Sequence, residues 1–245
     1  MAKKIRTSTG IIDCACVIHS TGYDWTYVER LYNMLTRNLP NGIRFHVYTE
    51  HDRSVPPHLI KHILQDWPGI SGPKRSWWHK LQLFNPEHHA GNLLYFDLDT
   101  VIVRDVSWIT QLDSSYLWGI KDFRYLQSPN RSSINSSVMW WNVTKFATVW
   151  DDFKNTDVAM TTRRYPGDQD YLSAQVGHNK IRYLDQDQIK SWRWQCMEGG
   201  YDFQRRKHRE PGAPAQITGD TSIIVFHGTP KPHTIKDNLV TENWK

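Results

Sequence analysis

Three cysteines in 245 residues are too few for a disulfide framework. Cys14 and Cys16 stand one residue apart in an apolar run. On a strand they face the same side, as small buried residues, and a thiolate zinc site lacks ligands. Long hydrophobic runs are also missing. Leu93-Leu94-Tyr95-Phe96 and Ile223-Ile224-Val225-Phe226 fall far short of the ~20 residues that cross a bilayer as a helix. Met1-Ala2-Lys3-Lys4-Ile5-Arg6 carries charge but no apolar stretch of the signal-peptide kind behind it, so a cytoplasmic location is expected. There is no internal repeat, no low-complexity tract and no linker-like segment. The expectation is one domain over residues 1–245.

The charge is modest, +5, and much of the excess sits in Arg205-Arg206-Lys207-His208-Arg209 and Arg163-Arg164. Such runs are ordinary solvated loops or a surface for a polyanion, and a charge of this size does not choose between them. Twelve tryptophans, several adjacent (Trp77-Trp78, Trp140-Trp141), are the unusual feature of the composition. Core packing accounts for most of them. The same flat rings, with an apolar face and one N–H, also suit a sugar or a base.

Residues 11–19 read as a buried strand. A helix follows from an N-cap at Asp24, with Trp25, Val28, Leu31, Tyr32, Leu35 and Leu39 at helical spacing until Pro40-Asn41-Gly42. Residues 43–48 alternate as a second strand. This β-α-β outline opens a parallel sheet. Further strands are expected at 93–96, 101–103, 116–120, 133–141, 181–184 and 222–226, and helices at 76–84, 145–153 and 168–176. Residues 51–75 read as irregular, and 186–220 as a long irregular segment of the lid or binding-loop kind.

Asp97 and Asp99 follow the strongly apolar run 93–96. Ligands in open α/β sheets gather beyond the carboxyl ends of strands, and two carboxylates at i and i+2 there can share a cation with phosphate oxygens. A plain surface turn is the competing reading, disfavoured because acids between Tyr95-Phe96 and Val101-Ile102-Val103 are costly to bury unpaired. An Asp-x-Asp after a strand is written both by haloacid-dehalogenase-type phosphatases, with the first Asp as nucleophile, and by GT-A glycosyltransferases. The phosphatase pattern belongs to the first strand of its fold, whereas here a β-α-β unit precedes it.

Four more segments align with the second class. They are Trp77-Trp78-His79-Lys80-Leu81, Asn135-Ser136-Ser137-Val138 ending in Asn142, Gly167-Asp168-Gln169-Asp170-Tyr171-Leu172, and Phe226-His227-Gly228-Thr229-Pro230-Lys231-Pro232-His233. In this order, over residues 77–233, the chain resembles GT-A glycosyltransferases of the glycogenin and lipopolysaccharide galactosyltransferase type, family 8. Two positions depart from the family pattern. Ser137 stands where a glycine is usual, and His227 and Gly228 are adjacent rather than separated.

The resemblance implies an α/β, Rossmann-like GT-A domain with a mostly parallel central sheet flanked by helices. It implies transfer from a nucleotide-diphosphate sugar, a UDP-sugar first, with retention of anomeric configuration. Asp97, Asp99 and His227 would hold a divalent ion. A mixed carboxylate and imidazole set favours Mn²⁺ over Mg²⁺. Lys231 and the Gly228 backbone would meet the diphosphate, with Lys80 a second phosphate contact. Asn135 would bond the donor sugar, and Asp168, Gln169 and Asp170 would line the reacting face. Topology alone puts His19, Thr21 and Tyr23, past the first strand, near base and ribose. The acceptor stays open between a glycan and DNA carrying a hydroxylated base. A phosphatase using Asp97 and a non-catalytic sugar- or nucleic-acid-binding protein are the alternatives.

Overall fold

The computed structural model describes residues 10–19, 22–67, 70, 75–130 and 133–245. Strand β1 (Ile12–Ile18) leads to helix α1 (Trp25–Asn38). Asp24 caps the helix, its carboxylate accepting from Thr26 N at 2.9 Å. Past the C-cap Leu39, Gly42 at φ 77° turns the chain into β2 (Ile43–Thr49), a left-handed conformation that glycine enters freely. Then come β3 (Ile60–Ile63), β4 (Asn92–Phe96), β5 (Thr100–Ile102), β6 (Leu117–Lys121) and β7 (Ile134–Asn142). Helices α2 (Ala147–Asn155), α3 (Val158–Arg164) and α4 (Asp168–Val176) precede β8 (Ile181–Tyr183) and β9 (Ile189–Ser191). The chain closes with β10 (Tyr201–Asp202), β11 (Lys207–His208), β12 (Ile223–Val225) and α5 (Asn238–Thr241).

Seven strands form the central sheet in the order β3-β2-β1-β4-β7-β6-β8. Only β7 runs against its neighbours, so the sheet is mostly parallel, as expected. Its middle strands are apolar on both faces because both faces are covered. Along β4, Leu94 and Phe96 enter the core shared with α1, while Leu93 and Tyr95 enter the core beneath α2 and the 3-10 helix Ser76–Phe84. Cys14 and Cys16 lie together on the α1 side. The adjacent Trp140 and Trp141 go one to each core. A second sheet, β5-β12-β9, stands beside the first.

The structure corrects several expectations. Residues 51–75 contain β3, an edge strand whose Ile60 and Ile63 are exposed; its backbone pairs with β2 although its side chains carry no burial pattern. Residues 186–220 hold β9, a helical turn at Trp192–Cys196 and the β10–β11 hairpin, elements too short to show periodicity. Helix α3 was not anticipated. The helix expected at 145–153 is a 3-10 turn, Thr144–Phe146, followed by α2.

Candidate active site

The acidic turn joins the two sheets. Asp97 N donates to Ser137 O on β7 at 2.8 Å, and Thr100 N closes the turn onto Asp97 O at 3.1 Å. Two residues on, Phe226 N just past β12 donates to Asp99 O at 3.3 Å. Leu98, between the acids, is buried in the α1-side core. Leu98 anchors the turn, and both carboxylates line the same cleft.

Each carboxylate is held by its own ammonium. Lys80 Nζ, from the 3-10 helix, lies 2.7 Å from Asp97 Oδ1, which also accepts from Tyr95 OH at 2.6 Å. The same Nζ is 3.2 Å from Ser136 Oγ and 3.9 Å from Asp168 Oδ2, and Ser136 Oγ donates to Asp168 at 2.6 Å. Lys231 Nζ donates to Asp99 Oδ2, which Tyr23 OH also reaches at 2.7 Å. Burial and the adjacent Asp97 charge push the Asp99 carboxyl above its ordinary range, against the pull of Lys231 and Tyr23. Burial likewise raises Asp168. For Lys80, burial pulls the ammonium down, and Asp97 and Asp168 more than offset it.

The two acids, Lys80, Lys231, Tyr23 and Tyr95 line a cleft of about 420 Å³ together with His19, Tyr27, Trp77 and His233. Tyr27 OH and His233 Nδ1 share a hydrogen bond. Asp97, Asp99, Lys80, Lys231, His19 and Tyr23 thus line one cleft, and His227, Gly228 and Asn135 do not line it. Asp168, Gln169 and Asp170 line a neighbouring cleft of about 330 Å³ with Arg124 and Pro166, and Trp77 borders both. Thr21 lies outside the described residues.

His227 turns toward the second sheet. Its Nε2 is 2.6 Å from Ser191 Oγ, and its ring stacks on Phe123. Burial, then the Arg193 charge, hold its pKa down at about 4. Gly228 takes φ 72° and has open space around it. Asn135 Oδ1 accepts from Ser137 N at 3.0 Å within its own strand, beside a register shift between β6 and β7.

Sequence reading missed Tyr95, Ser136, Tyr27 and His233. Tyr95 and Ser136 read as strand filler: Tyr95 reaches Asp97 two residues on along the same face, while Ser136 meets Lys80 and Asp168 from distant segments. It also missed a second cluster. His19 Nε2 and His79 Nε2 lie 2.8 and 3.2 Å from Asp66 Oδ1.

No protein-family model matches this chain, and no curated protein matches it. Solved structures do. The galactosyltransferase LgtC, in complex with donor and acceptor sugar analogs, shares 13% identity over 96% of this chain and 97% of its own, with a TM-score of 0.56. The bifunctional glycosyltransferase WbbM shares 12% over 93% of this chain and 47% of its own, at 0.57. Mouse xyloside xylosyltransferase 1 shares 12% over 89% of this chain and 98% of its own, at 0.51. At these identities the likeness is one of architecture, and the chain has the GT-A glycosyltransferase fold.

Proposed function

We propose that this chain is a metal-dependent glycosyltransferase that moves a sugar from a nucleotide-diphosphate sugar, a UDP-sugar first, to a glycan hydroxyl with retention. The observation that carries the proposal is the double pairing of Lys80 with Asp97 and Lys231 with Asp99 in one cleft. Two acids and two ammoniums leave the cleft neutral. A divalent ion arriving with a diphosphate adds charges that cancel each other, so the cleft accepts both without burying net charge.

The residue types fit such an ion. Asp97 and Asp99 are adjacent carboxylates whose repulsion a dication relieves. His227 lies outside the cleft lined by Asp97 and Asp99 and has Ser191 Oγ as a partner for Nε2, so it would join the set through Nδ1, in the tautomer that donates to Ser191, by turning toward the acids. Asp97, Asp99 and His227 would hold Mn²⁺, with Mg²⁺ second, and the ion would supply charge neutralisation at the diphosphate.

The chain's own residues do the rest. Lys231 and Lys80 exchange their carboxylate contacts for phosphate oxygens and stabilise the charge that grows on the leaving phosphate. Tyr23, Tyr27 and Trp77 offer aromatic walls to base and sugar, and His19 closes the end of the cleft. Asn135 and the Gly228 backbone complete the donor side. Asp168, tied to Ser136 and Lys80, positions Lys80, while Gln169 and Asp170 face the cleft next door, where the acceptor hydroxyl would approach. With no dedicated base in this reading, the leaving phosphate takes the acceptor proton. An NMR time course of the first-formed product reads the anomeric outcome.

A panel of nucleotide-sugars with Mn²⁺, scored for nucleotide release, tests the proposal. Release by wild type and its loss in Asp99→Ala support it. No release from any donor, or release unchanged in Asp99→Ala, refutes it.

A further inference from the structure

His19, Asp66 and His79 come from three separate segments. His19 follows the last residue of β1, Asp66 lies just past β3, and His79 sits inside the 3-10 helix Ser76–Phe84. Leu64 N bonds Thr49 O at 2.9 Å, carrying the chain beyond β3 alongside the end of β2 and toward β1. His19 is 2% exposed and His79 fully buried, with their rings stacked at 4.0 Å between centroids.

Neither imidazole is satisfied by hydrogen bonds at the nitrogen it turns to Asp66. Both ring nitrogens of His19 and Nε2 of His79 are buried without a hydrogen-bond partner, although Asp66 Oδ1 is 2.8 and 3.2 Å away. The distances are short but the N–H directions miss the oxygen. Two buried rings that aim nitrogen at one carboxylate without bonding it are costly as plain polar groups. They are well placed as ligands.

We infer that His19, Asp66 and His79 form a second divalent-cation site, distinct from the Asp97–Asp99 pair, that takes a borderline ion such as Zn²⁺. The three ligand atoms lie within 4.8 Å of one another. Around a tetrahedral ion with bonds of about 2.0–2.1 Å, ligand atoms stand about 3.3 Å apart, so the 2.8 and 3.2 Å spacings to Asp66 need only a slight opening. Two nitrogens and one carboxylate oxygen suit zinc and are a poor set for Mg²⁺, which prefers oxygen alone. Backbone hydrogen bonds from the His79 ring to Gln65 and Ile70 supply the acceptors that orient a metal-bound imidazole. The Asp66 side chain is half exposed, which leaves the fourth position to water.

The ion would tie the Asp66 segment and the 3-10 helix to the end of β1. That helix carries Trp77 and Lys80, and His19 itself lines the cleft, so the site would brace one wall of the catalytic pocket from behind. It depends on the geometry at these three residues alone, not on the proposed transferase activity.

The test titrates the full-length, metal-stripped protein with Co²⁺, read by its visible absorption, and with Zn²⁺ in competition with a chromophoric chelator. One tight equivalent is expected, retained in Asp99→Asn and weakened roughly 100-fold or more in both Asp66→Asn and His79→Gln. Because Asp66 is half exposed, Asp66→Asn keeps the fold and decides the matter if His79→Gln is unstable. Zn²⁺ is also expected to raise the melting temperature of wild type and Asp99→Asn but not of Asp66→Asn. The proposal is overturned by the absence of a stoichiometric equivalent, or by one indifferent to Asp66→Asn. An equivalent removed by Asp99→Asn also overturns it, as does one that Asp66→Asn leaves but that is removed by His46→Gln in the separate group of Asp13, His46 and His89, since the ion then sits elsewhere.

Discussion

Lys80 and Asp97 meet at 2.7 Å, and the same ammonium is also within 3.9 Å of Asp168. One cation thus serves two buried or half-buried acids on different elements, and the Ser136 hydroxyl completes the link by donating to Asp168 at 2.6 Å. Ser136→Ala removes that donor and leaves Asp168 with Lys80 and the Gln169 backbone. The expected cost is about 1–3 kcal/mol, read as a lower urea midpoint with an unchanged m-value. Asp168 then draws Lys80 away from the cleft, so donor KM rises with it.

Lys231→Ala separates two roles that the double pairing combines. The lysine both neutralises Asp99 and, in the proposed reaction, meets the diphosphate. Loss of transition-state charge stabilisation predicts a fall of about 100-fold in kcat/KM for nucleotide release. Mn²⁺ binding to the donor-free protein is expected to tighten, because no ammonium competes for the Asp99 oxygen. Calorimetric titration checks this, and weaker Mn²⁺ binding in the variant contradicts it.

Trp77 is 42% exposed and borders both clefts. Trp77→Ala should leave the melting temperature nearly unchanged while raising KM for donor or acceptor by about tenfold, the loss of one stacked ring. A change confined to stability would show that the indole is only structural.

A histidine cluster away from the catalytic cleft sets an acid dependence of stability. Burial, helped by the charges of His46, His88 and His89, holds His62 at about 4. His46 bridges from His62 to Asp13, whose carboxyl lies below its ordinary value: burial raises it, but the His46 and Arg44 hydrogen bonds win. A histidine depressed in the folded state binds protons first in the unfolded state. Its contribution is therefore complete above about pH 6.5 and is lost as the pH falls toward 4. The ring is only partly buried, so the change is on the order of 1 kcal/mol. His62→Phe should flatten the fall in chemical stability between these pH values, and an unchanged slope would contradict it.

The acidic turn was legible because it breaks an apolar strand. The ordered blocks around Lys80, Asp168 and Lys231 were legible because each carries several unusual residues in a row. Helix α1 announced itself through Asp24 and its apolar spacing. Tyr95, two residues before Asp97, reads as an ordinary apolar strand residue, and Ser136 gave no such signal, since its partners Lys80 and Asp168 come from distant segments that no local window contains. The cluster of His19, Asp66 and His79 was hidden for the same reason, with Asp66 in a stretch that reads as loop. Strand β3 escaped because its pairing is through backbone, with both end residues exposed.

The acidic turn lies between a central sheet completed by β8 and a second sheet completed by β12, and Lys231 follows that last strand. A nascent copy emerging from the ribosome holds Asp97 and Asp99 side by side long before their second counter-charge exists. Until Lys231 and β12 arrive, the growing chain carries an unbalanced acidic knot with an unpaired strand beside it. Competence therefore comes late in synthesis, and the stretch from β12 through Lys231 decides whether the turn is a charge defect or a binding site.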